Sequence, residues 1–217
     1  MKITMYLEVT SSWCFWAELA WEELKRRYQG RAEFDWKIAL MPLSAHPVSP
    51  AQRAWFYRRS GTIMNSPFAL KADWAGTDLK QSIVPNLVAE ASRDFPGIGE
   101  KVRLALGRAA LREGRHVWEW DVAVDVAAAA AQLDRDALLK RARSPEIERR
   151  VNTSTAEFDA LQVTQRPAFL LDDSIGDRAV FSGIVKWEPL AATIDAMLSD
   201  EAAYASYTAH FGNPPPQ

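Results

Sequence analysis

The chain has 217 residues, of which 48% are hydrophobic, so it is long enough to form one elaborated domain or two small ones around a sizeable core. Its 26 Lys and Arg residues and 28 Asp and Glu residues leave a net charge of -2, which argues against nucleic acid as the main partner. A single cysteine, Cys14, excludes an intrachain disulfide, and the 3 histidines show no metal-ligand spacing, so no metal is expected.

Alternating apolar residues predict a first strand at 2–9, and an apolar stripe with helical spacing predicts a helix at 13–28. Ser11 and Ser12 precede this helix and are candidate N-caps. Alternation returns at 32–41 and predicts a second strand. Because a strand–helix–strand order favours a right-handed parallel crossover, we expect the two strands to be parallel.

The middle of the chain has helical periodicity and almost no strand signal. The predicted helices cover 51–59, 81–94, 100–113, 118–133, 135–143 and 145–162. The Asp134-Arg135-Asp136 stretch and Ser144-Pro145 supply helix starts, the latter with proline at the first helical position. Strand patterning returns at 168–172 and 179–183, which predicts a hairpin, and a helix at 188–199 is followed by a short helical tail. The pattern therefore predicts an α/β fold in which residues 1–45 and 163–217 form one domain and residues 46–162 form an inserted helical domain.

Two features of the sequence bear on membranes and on localisation. Glu8 interrupts the N-terminal apolar run, and no small-residue cleavage site follows it, as a signal peptide would require. The longest uncharged apolar run, Val126 to Leu133, is too short to span a bilayer. We therefore expect a cytoplasmic protein with no membrane partner.

The turn before the first helix carries the residues with the clearest chemistry. It reads Ser11-Ser12-Trp13-Cys14, and Ser11 and Cys14 have the spacing of a Cys-x-x-Cys pair. Free N–H groups and the positive end of the helix dipole stabilise an anion at such a helix start, and a thiolate there has a lowered pKa. The pattern indicates a site that binds or activates an anionic group.

This turn resembles those of a known clan. Residues 7–16 resemble the first strand and active-site turn of the DsbA family, and they are similar to the Ser-Pro-Tyr-Ser-Trp turn of kappa-class glutathione transferases and 2-hydroxychromene-2-carboxylate isomerases. Residues 164–169 resemble the cis-proline loop of thioredoxin folds, and residues 113–118 with 133–138 resemble the helical insertion of the DsbA family. The resemblance implies a thioredoxin-like fold with a helical domain inserted between the second and third strands, and a cis Arg166–Pro167 bond.

The resemblance also implies the site residues. Ser11 occupies the nucleophilic position and Cys14 the second one, so these two are the catalytic candidates, with Ser11 exposed and Cys14 buried. The expected substrate-binding residues are Ser12, Trp13, Trp16, Trp55, Arg166 and Pro167, and we expect Trp13, Trp16, Trp55 and Arg166 to line a cavity near Ser11. The residues leave alternatives open. Ser11 could serve only as a helix cap, Cys14 as an inert core thiol, Arg166 as a surface charge and Pro167 as a structural residue.

Three functions fit this pattern. The first is an enzyme that has lost dithiol redox chemistry and transfers or isomerises a small substrate, with glutathione as a candidate cofactor. The second is a DsbA-like oxidoreductase that acts through Cys14, and the third is a non-catalytic binding module. Residues 183–186 stand where the kappa class has a Ser-Asp pair that holds glutathione, which leaves glutathione binding open. The expected partners are a small-molecule or thiol substrate and a second copy in a homodimer.

Overall fold

The computed structural model describes residues 1–74 and 82–213. Its sheet has four strands in the order β2-β1-β3-β4. β1 pairs in parallel with β2, and β3 is antiparallel to both β1 and β4. The strands are β1 (Lys2–Leu7), β2 (Glu33–Ile38), β3 (Ala168–Asp172) and β4 (Arg178–Ser182). The predicted strands and the parallel pairing are confirmed, although the first two strands are shorter than predicted.

The two shortened strands end for identifiable reasons. After β1 the chain turns at once, because the Ser11 N–H donates to the Glu8 carbonyl at 3.0 Å. After β2 the carbonyls of Ala39 and Leu40 accept hydrogen bonds from the Arg166 guanidinium. Backbone groups that are engaged in this way cannot continue a strand ladder.

Helices separate and follow the strands. Helix α1 lies between β1 and β2, six helices lie between β2 and β3 in the described residues, and α8 follows β4. They are α1 (Ser12–Arg27), α2 (Pro50–Ile63), α3 (Val84–Ser92), α4 (Lys101–Leu111), α5 (Trp120–Ala131), α6 (Arg135–Ala142), α7 (Pro145–Ala160) and α8 (Trp187–Phe211). The helical insertion is confirmed; residue 81, where one helix was predicted to begin, lies outside the described residues.

The capping residues that mark helix starts in the sequence have that role in the structure. Asp134 accepts from the Ala137 N–H at 2.7 Å, and Ser144 accepts from the Ile147 N–H at 3.4 Å ahead of Pro145 at the first helical position. Helix α8 differs from its prediction, because it runs unbroken to Phe211 instead of ending at 199. After Pro189 in its first turn, no glycine or proline lies in the helix before Gly212, which has a φ of 77° and ends the helix.

The sheet buries both faces. Ile3, Met5 and Leu7 alternate along β1 and pack with Trp21 of α1 in the main core, all at 1% exposure or less. Tyr6 points to the opposite face, where its cluster includes Phe158 of α7. Burying each large apolar side chain contributes about 1.5–3 kcal/mol. Because the main core continues from the sheet into α3, α4 and α5, the insertion is held against the end of β1.

No helix within the described residues is long and apolar enough to cross a membrane.

Candidate functional site

The site begins at the turn between β1 and α1. Ser11 is the N-cap of α1, with φ -74° and ψ 127°, and its Oγ accepts a hydrogen bond from the Cys14 N–H at 3.4 Å. Ser12 and Trp13 follow as the first helical residues, whose N–H groups have no acceptor within the helix. The capping role expected for Ser11 is therefore present, and the helix start can also bind an anion.

Ser11 is more enclosed than expected. We predicted an exposed hydroxyl, but Ser11 is only 8% exposed. The reason lies in α2, which covers the turn: the Tyr57 hydroxyl donates to the Thr10 carbonyl at 3.4 Å, and Trp74 Nε1 donates to that hydroxyl at 2.8 Å. Ser11 therefore faces a small cavity under the insertion and not open solvent.

Cys14 is buried, as expected, at 2% exposure. Its Sγ accepts from the Glu8 N–H at 3.5 Å. Burial raises the pKa of the thiol to about 12, and the hydrogen bonds from Ser11 and Glu8 oppose the shift only in part. The thiol therefore stays protonated near neutral pH, and a protonated thiol is neither a good nucleophile nor a metal ligand.

The loop opposite the turn contains the cis Arg166–Pro167 peptide bond that the sequence predicts. The Pro167 carbonyl accepts from the Gly183 N–H at 2.8 Å, which ties the loop to the end of β4. Gly183 has a φ of 76°, and a Cβ there would lie 3.2 Å from the Gln165 side chain, so glycine suits this close approach. Gln165 is the residue of this loop that lines the Ser11 cavity.

Arg166 has a different position from the one expected. It is 8% exposed and does not line the Ser11 cavity. Its Nε donates to the Ala39 carbonyl at 2.7 Å, its Nη2 donates to the Leu40 carbonyl at 2.6 Å, and its guanidinium lies 4.0 Å from the centre of the Phe158 ring. These contacts join the proline loop to the end of β2.

We predict that Arg166→Met lowers the free energy of unfolding by about 1–3 kcal/mol, because the carbonyls of Ala39 and Leu40 lose their donors in a buried place. Chemical denaturation measures the loss, and Arg31→Met, at an exposed arginine, is the control. Ligand affinity of the folded Arg166→Met protein should match that of the unmodified chain. A loss of affinity without a loss of stability would mean that Arg166 binds the ligand after all.

The cavity at Ser11 has a volume of about 180 Å³ and lies between the α1 start, the Met41–Pro47 segment, α2 and Trp118. Of the predicted residues, Ser11, Ser12 and Trp13 line it. The other residues used below are His46, Arg53, Tyr57, Arg59, Trp74 and Trp118. Three tryptophans thus contribute to the walls, but only Trp13 was expected there.

Trp16 and Trp55 are not in this cavity. Trp16 points to the other side of α1, donates from Nε1 to Ser60 Oγ at 3.2 Å and lines a second cavity. Trp55 is 55% exposed on the outer side of α2, with the Arg59 guanidinium 5.1 Å from its ring centre. Neither Trp55 nor Pro167 lines either cavity. The prediction of one cavity lined by all four residues is therefore corrected: Trp16 packs on Ser60 at the other side of α1, Trp55 faces outward from α2, and Arg166 is engaged by the carbonyls after β2.

The residue that sequence reasoning missed most clearly is Arg53. It is 7% exposed, donates from Nη1 to the Ala72 carbonyl at 3.0 Å, and lies 5.8 Å from the centre of the Trp74 ring. Within residues 1–74 and 82–213 it has no carboxylate partner. A buried guanidinium without an acid nearby is a candidate anion contact. No local sequence signal marks it, because α2 reads as an ordinary helix.

Trp118 was predicted only to lie in the helical insertion, and not at the site. Its Nε1 is buried and finds no hydrogen-bond acceptor in the described part of the chain. An unsatisfied buried donor costs about 1–3 kcal/mol, so a ligand that accepts from it gains that energy back. Trp118 is one of the residues that line the Ser11 cavity.

The electrostatics of the cavity favour an anion. Arg53 and Arg59 line it, and none of its described lining residues is acidic. Burial lowers the pKa of His46, and the Arg53 charge adds to that shift, so the imidazole is neutral at pH 7. Burial raises the pKa of Tyr57, whose hydroxyl stays protonated. Among the described residues no three His, Cys, Asp or Glu side chains come together as a metal site.

A sheet in this order, with a helix start facing a cis-proline loop and a helical insertion after the second strand, defines a thioredoxin-like fold with an inserted helical region. The family model of the DSBA-like thioredoxin domain matches residues 2–195. The chain belongs to this family.

Solved structures agree with this fold at low sequence identity. The cytosolic disulfide reductase DsbM from Pseudomonas aeruginosa is 17% identical, with a TM-score of 0.72 over 92% of this chain and 99% of that one. The same protein solved with GSH is also 17% identical, with a TM-score of 0.70 over 92% of this chain and 100% of that one. A 2-hydroxychromene-2-carboxylate isomerase is 14% identical, with a TM-score of 0.66 over 94% and 99%. No curated protein matches the chain significantly.

Proposed function

We propose that the chain is an enzyme of the DSBA-like family that has lost dithiol redox chemistry and uses an external thiol to transfer or isomerise a small anionic substrate in the Ser11 cavity. One observation carries the proposal. The cavity joins a helix start and the Ser11 hydroxyl with a buried guanidinium, Arg53, and an unsatisfied donor, Trp118 Nε1. All of these groups stabilise negative charge.

The thiol has to come from outside the chain. Cys14 is the only cysteine, and its pKa is raised to about 12 by burial. Ser11 is not a nucleophile of its own near neutral pH, but its hydroxyl can donate to a bound thiolate, and the α1 start adds a favourable field. Glutathione is the natural candidate, and a structural neighbour, DsbM, has been solved with GSH.

The size of the cavity restricts what reacts there. A cavity of about 150 Å³ is known to hold benzene, so the 180 Å³ beside Ser11 accepts one ring or a group of similar size. In an isomerisation the thiolate adds to an electron-poor double bond, the resulting single bond rotates, and the thiolate leaves again, so no electrons are gained or lost. An isomerase is among the structural neighbours, which supports this reaction class.

The two alternatives make different demands. An oxidoreductase that acts through Cys14 needs a reachable thiolate, and the burial of Cys14 and its raised pKa argue against that role. A binding module needs only the cavity, so it shares the predicted affinity but no turnover. We further propose a cytoplasmic location, as for the cytosolic DsbM, and a homodimer, for which exposed aromatic residues such as Tyr207 and Phe211 offer surface.

We predict that Arg53→Gln weakens the binding of glutathione and of benzoate by about tenfold to hundredfold, the usual effect of losing a hydrogen bond to a charged group. Trp118→Phe keeps an aromatic ring but removes the N–H with the five-membered part of the indole, and should weaken binding by about two- to tenfold. Isothermal titration measures both, with Arg58→Gln at an exposed position of α2 as the control.

Thermal unfolding shows whether the buried Arg53 variant still folds, and Trp118→Phe keeps the test valid if it does not. Unchanged affinity in both folded variants, or no binding by the unmodified chain, would contradict the proposal. If glutathione and benzoate bind but no electron-poor alkene carboxylate is turned over in the presence of glutathione, the binding module remains as the function.

A further inference from the structure

A second, larger cavity lies on the other side of α1. It has a volume of about 640 Å³ and is enclosed by α1, the Met64–Phe68 segment and α4. It shares no lining residue with the Ser11 cavity. Small-molecule sites in proteins typically have volumes of about 300–1,000 Å³, so this cavity is of a size for a whole ligand.

The inner walls are apolar and aromatic. The rings of Trp16 and Phe68 lie 5.4 Å apart, and Phe15 meets Phe68 edge to face at 6.5 Å. Leu19 is 74% exposed and Leu104 is 37% exposed, both at this cavity. Covering the exposed apolar side chains of a cavity with a flat apolar ligand removes them from water and so favours binding.

The shape of the cavity depends on how closely α4 approaches the end of β1. Gly107 of α4 lies against the Val9 carbonyl, and a Cβ at this position would be 3.2 Å from that oxygen. Around Gly107, the residues Leu104, Arg108 and Arg112 recur at a spacing of four along α4 and its C-cap. They form one edge of the opening, because residues four apart lie on one face of a helix.

The charges at this edge are positive. Arg112 has no ion pair in the described part of the chain, and its guanidinium lies 3.3 Å from the centre of the Phe68 ring. The carboxylate nearest to Arg108 is that of Glu113, at 4.0 Å, which is a weak contact. Glu18, one of two acids in the wall, is paired with Arg103.

The other acid is Glu8, whose Oε2 accepts from the Met41 N–H at 2.6 Å. The wall also contains a buried donor without an acceptor. Arg103 is 2% exposed, and its Nε finds no hydrogen-bond partner within residues 1–74 and 82–213. Glu18 Oε2 is likewise buried and unpartnered. Both atoms belong to the Arg103–Glu18 ion pair and are fully buried, so they do not face the open part of the cavity.

We propose that this cavity is a second ligand site for an aromatic monocarboxylate, whose ring packs against the apolar wall of the cavity beside Leu104 and whose carboxylate is held by Arg112 and Arg108. A carboxylate fits better than a neutral or cationic group, since the arginines at the rim lack strong acidic partners and a guanidinium binds a carboxylate through two parallel hydrogen bonds. The site is independent of the function proposed for the Ser11 cavity.

The test uses 2-naphthoate and its neutral analogue 2-naphthalenemethanol, titrated calorimetrically into the full chain. We expect one naphthoate per chain at the second cavity and at least tenfold weaker binding of the alcohol. Arg112→Met should weaken naphthoate by about tenfold to hundredfold, whereas Arg115→Met, at an exposed arginine outside both cavities, should not. Leu104→Trp should abolish binding by filling the opening.

Arg112 and Leu104 are on the surface, so both variants should fold, and thermal unfolding verifies this. Equal binding of acid and alcohol, or naphthoate affinity that survives both Arg112→Met and Leu104→Trp, would overturn the proposal. Affinity that is lost in Arg53→Gln but kept in Arg112→Met would also overturn it, because the ligand would then lie in the Ser11 cavity.

Discussion

Replacing Ser11 with cysteine is expected to give the chain a disulfide reductase activity that it otherwise lacks. The new thiol would stand at the N-cap of α1, three residues before Cys14 and in the wall of the cavity. The helix start stabilises its thiolate, as in Cys-x-x-Cys proteins. That thiolate would attack a small disulfide and release one thiol, and Cys14 would then displace the mixed disulfide and release the second.

Two measurements check this prediction. Mass spectrometry should show that the oxidised Ser11→Cys variant loses two hydrogens on forming the intrachain disulfide. A turnover assay with bis(2-hydroxyethyl) disulfide and dithiothreitol should show activity well above that of the unmodified chain. The double variant with Cys14→Ala is the matched control for the mass measurement, because its single thiol cannot form an intrachain disulfide. No disulfide in the variant would mean that Cys14 is too enclosed for exchange.

The companion variant Ser11→Ala separates the cap from the site. In the unmodified chain the Ser11 Oγ accepts only a long 3.4 Å hydrogen bond from the Cys14 N–H. Loss of such a cap costs about 0.5–2 kcal/mol of stability. If Ser11 also donates to a bound thiolate, glutathione affinity should fall by about tenfold to hundredfold. A change in stability alone would make Ser11 a cap and nothing more.

The second large effect concerns Glu8, which is buried at 1% exposure where β1 ends. Burial raises the pKa of its carboxyl from 4.5 to about 7, and the Met41 N–H and the charge of Arg166 oppose this shift only in part. The unfolded chain releases the proton at lower pH than the folded chain does. The folded state is therefore favoured below the unfolded pKa, and that advantage is lost as pH rises toward 7. The shift corresponds to about 3 kcal/mol.

We therefore expect Glu8→Gln to gain stability relative to the unmodified chain as pH is raised from 5 to 8, by up to about 3 kcal/mol. Urea unfolding at several pH values measures the difference between the two proteins. Other carboxyls titrate equally in both, so the difference isolates Glu8. Glu33→Gln, at an exposed glutamate, is the control and should show no such trend. A constant difference across this range would show that Glu8 is ionised in the folded chain.

Much of the fold could be read from local patterns. Alternation located the first two strands and a hairpin pattern the last two, helical periodicity located the insertion, and Asp134, Ser144 and Ser11 were recognisable as caps. These features depend on residues within one turn or one strand of each other, which is why sequence spacing predicts them. The tail was predicted apart from the 188–199 helix, although no glycine or proline separates the two before Gly212, and in the structure they form one helix.

The site could be predicted only in part. Ser11, Ser12 and Trp13 share one turn, so the sequence by itself determined that they meet at the start of α1. Only the tertiary structure decided what faces them, because Arg53 and Trp118 approach from segments about 40 and 100 residues away. The direction of a side chain depends on its helix's rotation and packing.

Arg166 shows the same division most clearly. The sequence by itself determined the family of the chain, and with it that Arg166 precedes the proline of a turn facing α1. Only the tertiary structure decided that its guanidinium turns away from the cavity to the carbonyls of Ala39 and Leu40. Those carbonyls directly follow β2, more than 120 residues earlier in the chain. They need donors once they are buried, and no local pattern records that need.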